Sequence, residues 1–447
     1  MHDLTTGSPG RVLIGHTMPL FGSIIFQQLY NIADSFVAGR YIDSNALAAV
    51  GNSYEVTLIC IALAFGCSTS ASVVTAHLKG EGRNGEVRSC ISTAMLFALA
   101  LGLIVTLAGW LLGSPLLRLM RTPQAVFADS LDYLNIYLLG FPFLIVYQVT
   151  TGVFAALGDS RTTFWFLAVS SLTNIAMDVW FVRDLHMGVP GVAWATFICQ
   201  SVCGLVAAAT LLWRLRRMAG STKSRLFSKP LLKRMLHIAV PSTIQQSCIS
   251  VGNILIQIVI NGFGPACMAG YAAAVKLNNM CITSVTTLGT GVSNYTGQNL
   301  GAGRKDRIAP GLRSGVMLGM AMALLFSAAF LLCAEPLVGL FIVDGNAQAL
   351  ADGVSFLQIV APFYALIAVK LMVDGTLRGA AQMRHFMVAT MTDLVLRVAL
   401  AFLLSGITGS SVGVWWSWPL GWAVGTTMSV VFTLRWMQRS GCLLSKA

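Results

Sequence analysis

Twelve long stretches of mainly apolar residues, parted by shorter polar ones, run the length of the chain. They fall at 12–38, 46–76, 90–112, 134–157, 164–182, 189–213, 235–260, 268–295, 316–332, 354–377, 386–404 and 412–436. A helix needs roughly 20 apolar residues to cross about 30 Å of hydrocarbon, so each stretch is predicted to span a bilayer. The first is too long for a cleaved signal peptide and lacks a small-residue cleavage site, so it is expected to stay as span 1. The predicted fold is all-α and polytopic, with about twelve transmembrane helices.

Composition agrees: 56% of the 447 residues are hydrophobic and 10% charged, against roughly 25% charged in soluble domains. A net charge of +12 would suit a nucleic-acid partner, but the basic residues alternate from loop to loop. With the amino terminus inside, about 22 of the 29 lie at cytoplasmic ends and Arg40, Arg118, Arg121 and Arg183 lie outside, as the positive-inside rule expects. Lys276, Lys370 and Arg397 remain within spans. The charge therefore reports topology: both termini cytoplasmic, a lipid bilayer as partner, no nucleic acid. The ten cysteines include no Cys-x-x-Cys pair, and Cys199 and Cys203, one turn apart, read as small apolar packing. The six histidines lie near span ends and suggest no ligand cluster.

At an offset of roughly 220 residues the chain matches itself. Pro19 aligns with Pro241, Gly80-Glu81-Gly82-Arg83 with Gly301-Ala302-Gly303-Arg304, and Phe141-Pro142-Phe143 with Ala361-Pro362-Phe363. Six spans per half is an even number, so the two six-helix lobes should share an orientation and be related by a pseudo-two-fold axis along the membrane normal, a transporter architecture. The domains expected are a first lobe at 1–213, a basic cytoplasmic linker at 214–234 and a second lobe at 235–447. No GxxxxGK[ST] string occurs, so ATP-driven transport has no visible engine.

Several strings resemble the multidrug and toxic compound extrusion (MATE) family across nearly the whole chain. They are Pro19 followed by Gln27-Gln28-Leu29-Tyr30-Asn31-Ile32-Ala33-Asp34, then Gly39-Arg40 and Ala46-Leu47-Ala48-Ala49-Val50-Gly51. Leu157-Gly158-Asp159-Ser160-Arg161, Asn174-Ile175-Ala176-Met177-Asp178, Gln298-Asn299-Leu300-Gly301-Ala302-Gly303 and Leu377-Arg378-Gly379 complete the set. The Asp in span 1, with Asn and Asp one turn apart in span 5, is similar to the prokaryotic DinF-like branch. The resemblance implies two six-helix lobes around a central cleft and export of solutes against an inward Na⁺ or H⁺ gradient. It puts the cation site on Asp34, Asn174, Asp178 and Thr196 and a helix-bending role on Pro19. The NorM-like branch instead has acids in spans 7 and 10. Span 7 here offers Gln245, Gln246 and Asn253 but no acid, and Asp374 sits later in span 10 than that pattern wants.

Depth supports that grouping. Asp34 and Asp178 each lie about four residues before the outer end of an outward-running span, roughly 6 Å below the edge at 1.5 Å per residue. Thr196 is only slightly deeper, and Asn174 is one turn below Asp178. Ionisable groups inside a span mark ion or solute pathways. Two carboxylates, an amide oxygen and a hydroxyl suit a hard cation such as Na⁺, and two nearby carboxylates also readily share a proton. Tyr30, one turn below Asp34, is placed to hydrogen-bond it.

Other intramembrane charges have their own readings. Glu55 and Lys276 occupy equivalent repeat positions and are candidates for an outer ion pair gating the lobes. Lys370 and Asp374, and Asp393 and Arg397, are i, i+4 pairs at similar depth that sum to zero charge, the pattern of a structural network in the second lobe. The 19 Met and 23 Phe offer an adaptable lining as well as ordinary packing. The sequence thus reads as a monomeric antiporter in the inner membrane of a prokaryote. The resemblance implies that it exports organic cations or amphiphilic drugs by alternating access, with Na⁺ or H⁺ as the coupling ion and no cofactor expected. A lipid-linked oligosaccharide flippase of the same superfamily is the alternative. No HExxH or GxSxG constellation supports an intramembrane enzyme.

Overall fold

Where a polar run interrupts the apolar pattern, the helix stops. The structure, a computed structural model, describes the backbone of residues 3–41, 44–119, 122, 124–217, 225–342 and 346–442, and their side chains apart from those of 28–56, 119, 125–126 and 217. Helices follow one another as α1 (Pro9–Tyr41), α2 (Ser44–Gly80), α3 (Asn84–Leu119), α4 (Gln124–Ala156), α5 (Ser160–Val179), α6 (Gly188–Arg217) and α7 (Lys229–Asn261). They continue as α8 (Pro265–Gly301), α9 (Ile308–Leu332), a short α10 (Ala334–Gly339), α11 (Ala347–Val360), α12 (Tyr364–Gly379), α13 (Met383–Thr408) and α14 (Ser411–Arg439). A π-helical turn at Trp180–Asp184 prolongs α5, and a 3₁₀ turn at Ala361–Phe363 joins α11 to α12 in one crossing. The described residues therefore form twelve long helical rods, and each predicted span lies inside one to within a residue.

Nine of these rods are long and apolar enough to cross a membrane among the described residues. Two others, α8 and α14, bury polar side chains: Asn278, Asn294, Gln298 and Asn299 in the former, Ser417, Thr426, Ser429 and Thr433 in the latter. A helix walled by protein can carry such groups without presenting them to lipid. In contrast α3 exposes Leu103, Ile104, Leu107 and Leu111, an apolar band that water would not tolerate and lipid does.

The chain divides into two compact units, one comprising 1–3 and 18–244 and the other 4–17 and 245–447. In unit 1, α2 packs on α3 and α4, α4 on α3 and α6, and α5 on α6. Unit 2 repeats the scheme, with α8 on α9 and α11–α12, α12 on α9 and α14, and α13 on α14. The corners repeat to the single hydrogen bond. Beyond α2, the amides of Glu81, Gly82 and Arg83 bond to the carbonyls of His77, Lys79 and Leu78; beyond α8, those of Ala302, Gly303 and Arg304 bond to Gln298, Leu300 and Asn299. Gly82 and Gly303 both have φ +70°, the left-handed cap that glycine adopts without a Cβ penalty.

The seams repeat as well. A Cβ on Gly152 of α4 would lie 2.9 Å from the carbonyl oxygen of Ser68 in α2, and one on Gly289 of α8 would lie 2.7 Å from that of Leu371 in α12. Bare backbone is what lets these helices touch. The division between units falls inside α1, two residues before Pro19, and inside α7, one turn after Pro241. Each proline removes a rung of the hydrogen-bond ladder, so these helices are most pliable there. The segment ahead of α1 is pinned within unit 2. Leu4 is wholly buried; its N–H donates to Gln298 Oε1 at 3.2 Å and its carbonyl accepts from Asn299 Nδ2 at 3.1 Å.

Candidate functional site

Asp159 N-caps α5, accepting from the Thr162 amide at 3.2 Å and hydroxyl at 2.9 Å. It also pairs with Arg214 near the end of α6, while the Arg214 guanidinium lies 5.3 Å over the Phe154 ring. This clamp fixes the register of α5 against α6. At the other end of the pair, three of the four expected cation-site residues are buried: Asn174 at 3% exposure, Asp178 at 0% and Thr196 at 5%.

Asn174 and Asp178 stand one turn apart on α5, and the Cys199 thiol of α6 reaches the same stretch of α5. Thr196 precedes Cys199 by three residues and so shares its face of α6. The thiol donates to Met177 Sδ at 3.6 Å. Apart from that weakly donating thiol alongside, neither amide atom of Asn174 nor the Thr196 hydroxyl has a hydrogen-bond partner among the described residues. Leaving buried polar groups unmatched costs about 1–3 kcal/mol each, so the α5–α6 face is better suited to something else that bonds there. An anionic oxygen, an amide oxygen and a hydroxyl oxygen fit a hard cation or a proton. The π-helical turn begins two residues after Asp178, a backbone irregularity often found at functional sites.

Asp34, Tyr30 and Glu55 lie outside the residues whose side chains are described. Lys276 lies 5.4 Å over the Phe341 ring, within unit 2. The second-lobe charges meet across two helices, α12 and α13, and a third, α14, adds a hydroxyl. Lys370 Nζ is 2.8 Å from Asp374 Oδ2 and 3.7 Å from Asp393 Oδ2, and the Ser429 hydroxyl donates to Asp374 Oδ1 at 2.6 Å. Arg397 does not pair with Asp393, its neighbour one turn away; its guanidinium stacks 4.4 Å from the Trp418 ring centroid instead. Helical spacing finds the Lys370–Asp374 pair but not the turning of Arg397 to Trp418, and Ser429, on another helix, carries no sequence signal. Cys199 does carry one, its three-residue distance from Thr196.

The MatE family model matches the chain twice, over residues 19–180 and 241–403, starting at Pro19 and again at Pro241. Among curated relatives, the "Probable multidrug resistance protein YpnP" of Bacillus subtilis is 26% identical over 439 residues, 97% of this chain and 94% of the relative. A "FAD transporter" of Shewanella oneidensis is 22% identical over 417 residues, 91% of each chain. Among solved structures, a MOP superfamily transporter from Pyrococcus furiosus superposes with a TM-score of 0.90 at 22% identity, covering 98% of this chain and 97% of that one.

Proposed function

Since the chain belongs to the MatE family of membrane transporters, we propose that it is a secondary active antiporter. It exports bulky organic cations or amphiphiles by alternating access while Na⁺ or H⁺ runs inward. The supporting observation is Asp178, fully buried on the α5–α6 helix pair that also buries Asn174 and Thr196, whose polar atoms are largely unmatched. Buried ionisable groups in membrane proteins are expensive and are kept where they act.

In this reading Asp178, Asn174 and Thr196, completed by Asp34, hold the coupling ion. Asp178 is also the group that holds a proton when no metal ion is present, because two close carboxylates resist joint ionisation. A loaded ion neutralises the α5–α6 face, so the two loading states favour different packing of α1 against α5 and α6. Such a difference in binding between states is what drives a conformational cycle. Pro19 supplies the pliable point in α1. The membrane is the inner membrane of a prokaryote, with both termini in the cytoplasm and one chain as the working unit.

Efflux from everted vesicles, with Na⁺ and pH gradients imposed separately, tests the reading. Either gradient alone should drive accumulation of an amphiphilic cation such as ethidium. Asp34→Asn and Asp178→Asn should abolish it while membrane insertion stays normal, and full transport by both variants would refute the mechanism. The flavin-nucleotide carrier among the relatives makes FAD a second solute to assay beside ethidium.

A further inference from the structure

Among the described residues, unit 2 buries five Asp, Lys and Arg side chains in its interior, Lys370, Asp374, Arg378, Asp393 and Arg397, each no more than 8% exposed. Their arrangement is not a string of ion pairs along one helix. The Lys370 ammonium stands between Asp374 on its own α12 and Asp393 on α13, and Ser429 of α14 holds the far oxygen of Asp374. Asp393 Oδ1 is buried without a hydrogen-bond partner among the described residues. On the remaining side α14 presents bare backbone. A Cβ on Gly425 would lie 3.0 Å from Lys370 Cε and 2.7 Å from Asp393 Cβ, and one on Gly421 would lie 2.9 Å from Asp393 Oδ1.

The two arginines are turned to rings. Arg397 lies on Trp418, and Arg378 lies 5.5 Å over Phe386. Neither brings a nitrogen within ion-pair distance of a carboxylate among the described residues. Three helices thus shape a small cage in which two carboxylates, the oxygen donors that hard cations select, face one ammonium group, with Ser429 holding the outer oxygen of Asp374.

We propose that this cage is a cation-binding site whose ligand is tethered. The Lys370 ammonium fills a position that, without it, takes a small monovalent cation from solution: Na⁺ or a primary alkylammonium. The site is confined to unit 2 and does not depend on the role of Asp178. A purely architectural ion pair would behave differently, since removing one partner would destabilise the protein and no free cation would repair it.

The test uses the full chain purified in detergent, with the thermal unfolding midpoint as readout and ionic strength held constant with choline chloride. Lys370→Ala leaves room for n-propylammonium, the part of the side chain removed. Its midpoint should fall below that of the native chain and recover most of the loss, saturably, with n-propylammonium but not with tetramethylammonium. The native chain and Lys370→Ala/Asp374→Asn should not respond. Lys370→Met, which keeps the volume and removes only the charge, covers the case of an Ala variant that does not fold; its midpoint should rise as Na⁺ replaces choline. Failure of both single variants to respond to their cations overturns the proposal, as does an equal response from the Asp374→Asn double variant.

Discussion

Gly289→Ala probes the helix seam on which unit 2 is built. The new Cβ would lie 2.7 Å from the Leu371 carbonyl oxygen, whereas ordinary contact begins near 3.4 Å. α8 and α12 would therefore separate by about 0.7 Å, or the carbonyl would tilt out of its helical bond. Overpacking costs about 1–3 kcal/mol, and an unyielding backbone atom puts this case near the top of that range. Alanine regains about 1 kcal/mol of helix propensity, leaving a net loss of about 2 kcal/mol. For a unit of roughly 200 residues each kcal/mol moves the midpoint about 2–4 °C, so unfolding followed by tryptophan fluorescence should shift down by about 4–8 °C. Gly406→Ala is the internal control. It lies in the α13 helix, where a new methyl group would meet nothing within 4 Å, so it should hold or raise the midpoint. Equal midpoints for Gly289→Ala and the native chain would show that the two helices do not depend on contact at this residue.

Other outcomes follow from single contacts. Asp159→Ala removes the N-cap of α5 together with the Arg214 pair, and should lower the midpoint by the equivalent of about 1–2 kcal/mol, with Asp159→Asn recovering the cap share alone. Ala381 has φ +55° at the corner where the first half has Gly158 at +82°, so Ala381→Gly should stabilise the α12–α13 turn by up to about 1 kcal/mol, measured by denaturant midpoint. Thr196→Val keeps the volume and removes one oxygen from the α5–α6 face; the proposed coupling role predicts a higher Na⁺ or proton concentration for half-maximal efflux with insertion unchanged.

The apolar pattern places every predicted span within one of the twelve rods, overshooting by at most a residue, because a membrane span must be apolar over a length fixed by the bilayer, whereas the polar ends of the rods run on beyond it. The repeat is equally plain at Gly82 and Gly303, where a left-handed corner demands the same residue type in both halves. It is hidden at Gly158 and Ala381, where the corner keeps its hydrogen bonds but not its glycine: Asp159 N–H bonds to Phe154 O, and Gln382 N–H to Leu377 O. The candidate site is legible as far as helical spacing carries, joining Asn174 to Asp178. Spacing says nothing about partners on other helices, so Ser429 and the stacking of Arg397 on Trp418 emerge only from packing. The unit boundary inside α1 and α7 is also invisible to the span pattern, since it falls within a predicted span in both cases.

Two copies of one scaffold treat buried charge in opposite ways. In unit 1 the α5–α6 face keeps an acid, an amide and a hydroxyl, with the last two largely unmatched by protein donors or acceptors. The corresponding pair in unit 2, α13–α14, meets its acid with a lysine from α12. A face left short of partners gains free energy from an ion that arrives and loses it when the ion departs. A face whose acid is already met by an ammonium gains far less, because any incoming cation must displace a group that the chain cannot release to solution. This electrostatic contrast is the ground for proposing the exchangeable coupling ion in unit 1, and Lys370 is the residue whose removal should make the second half resemble the first.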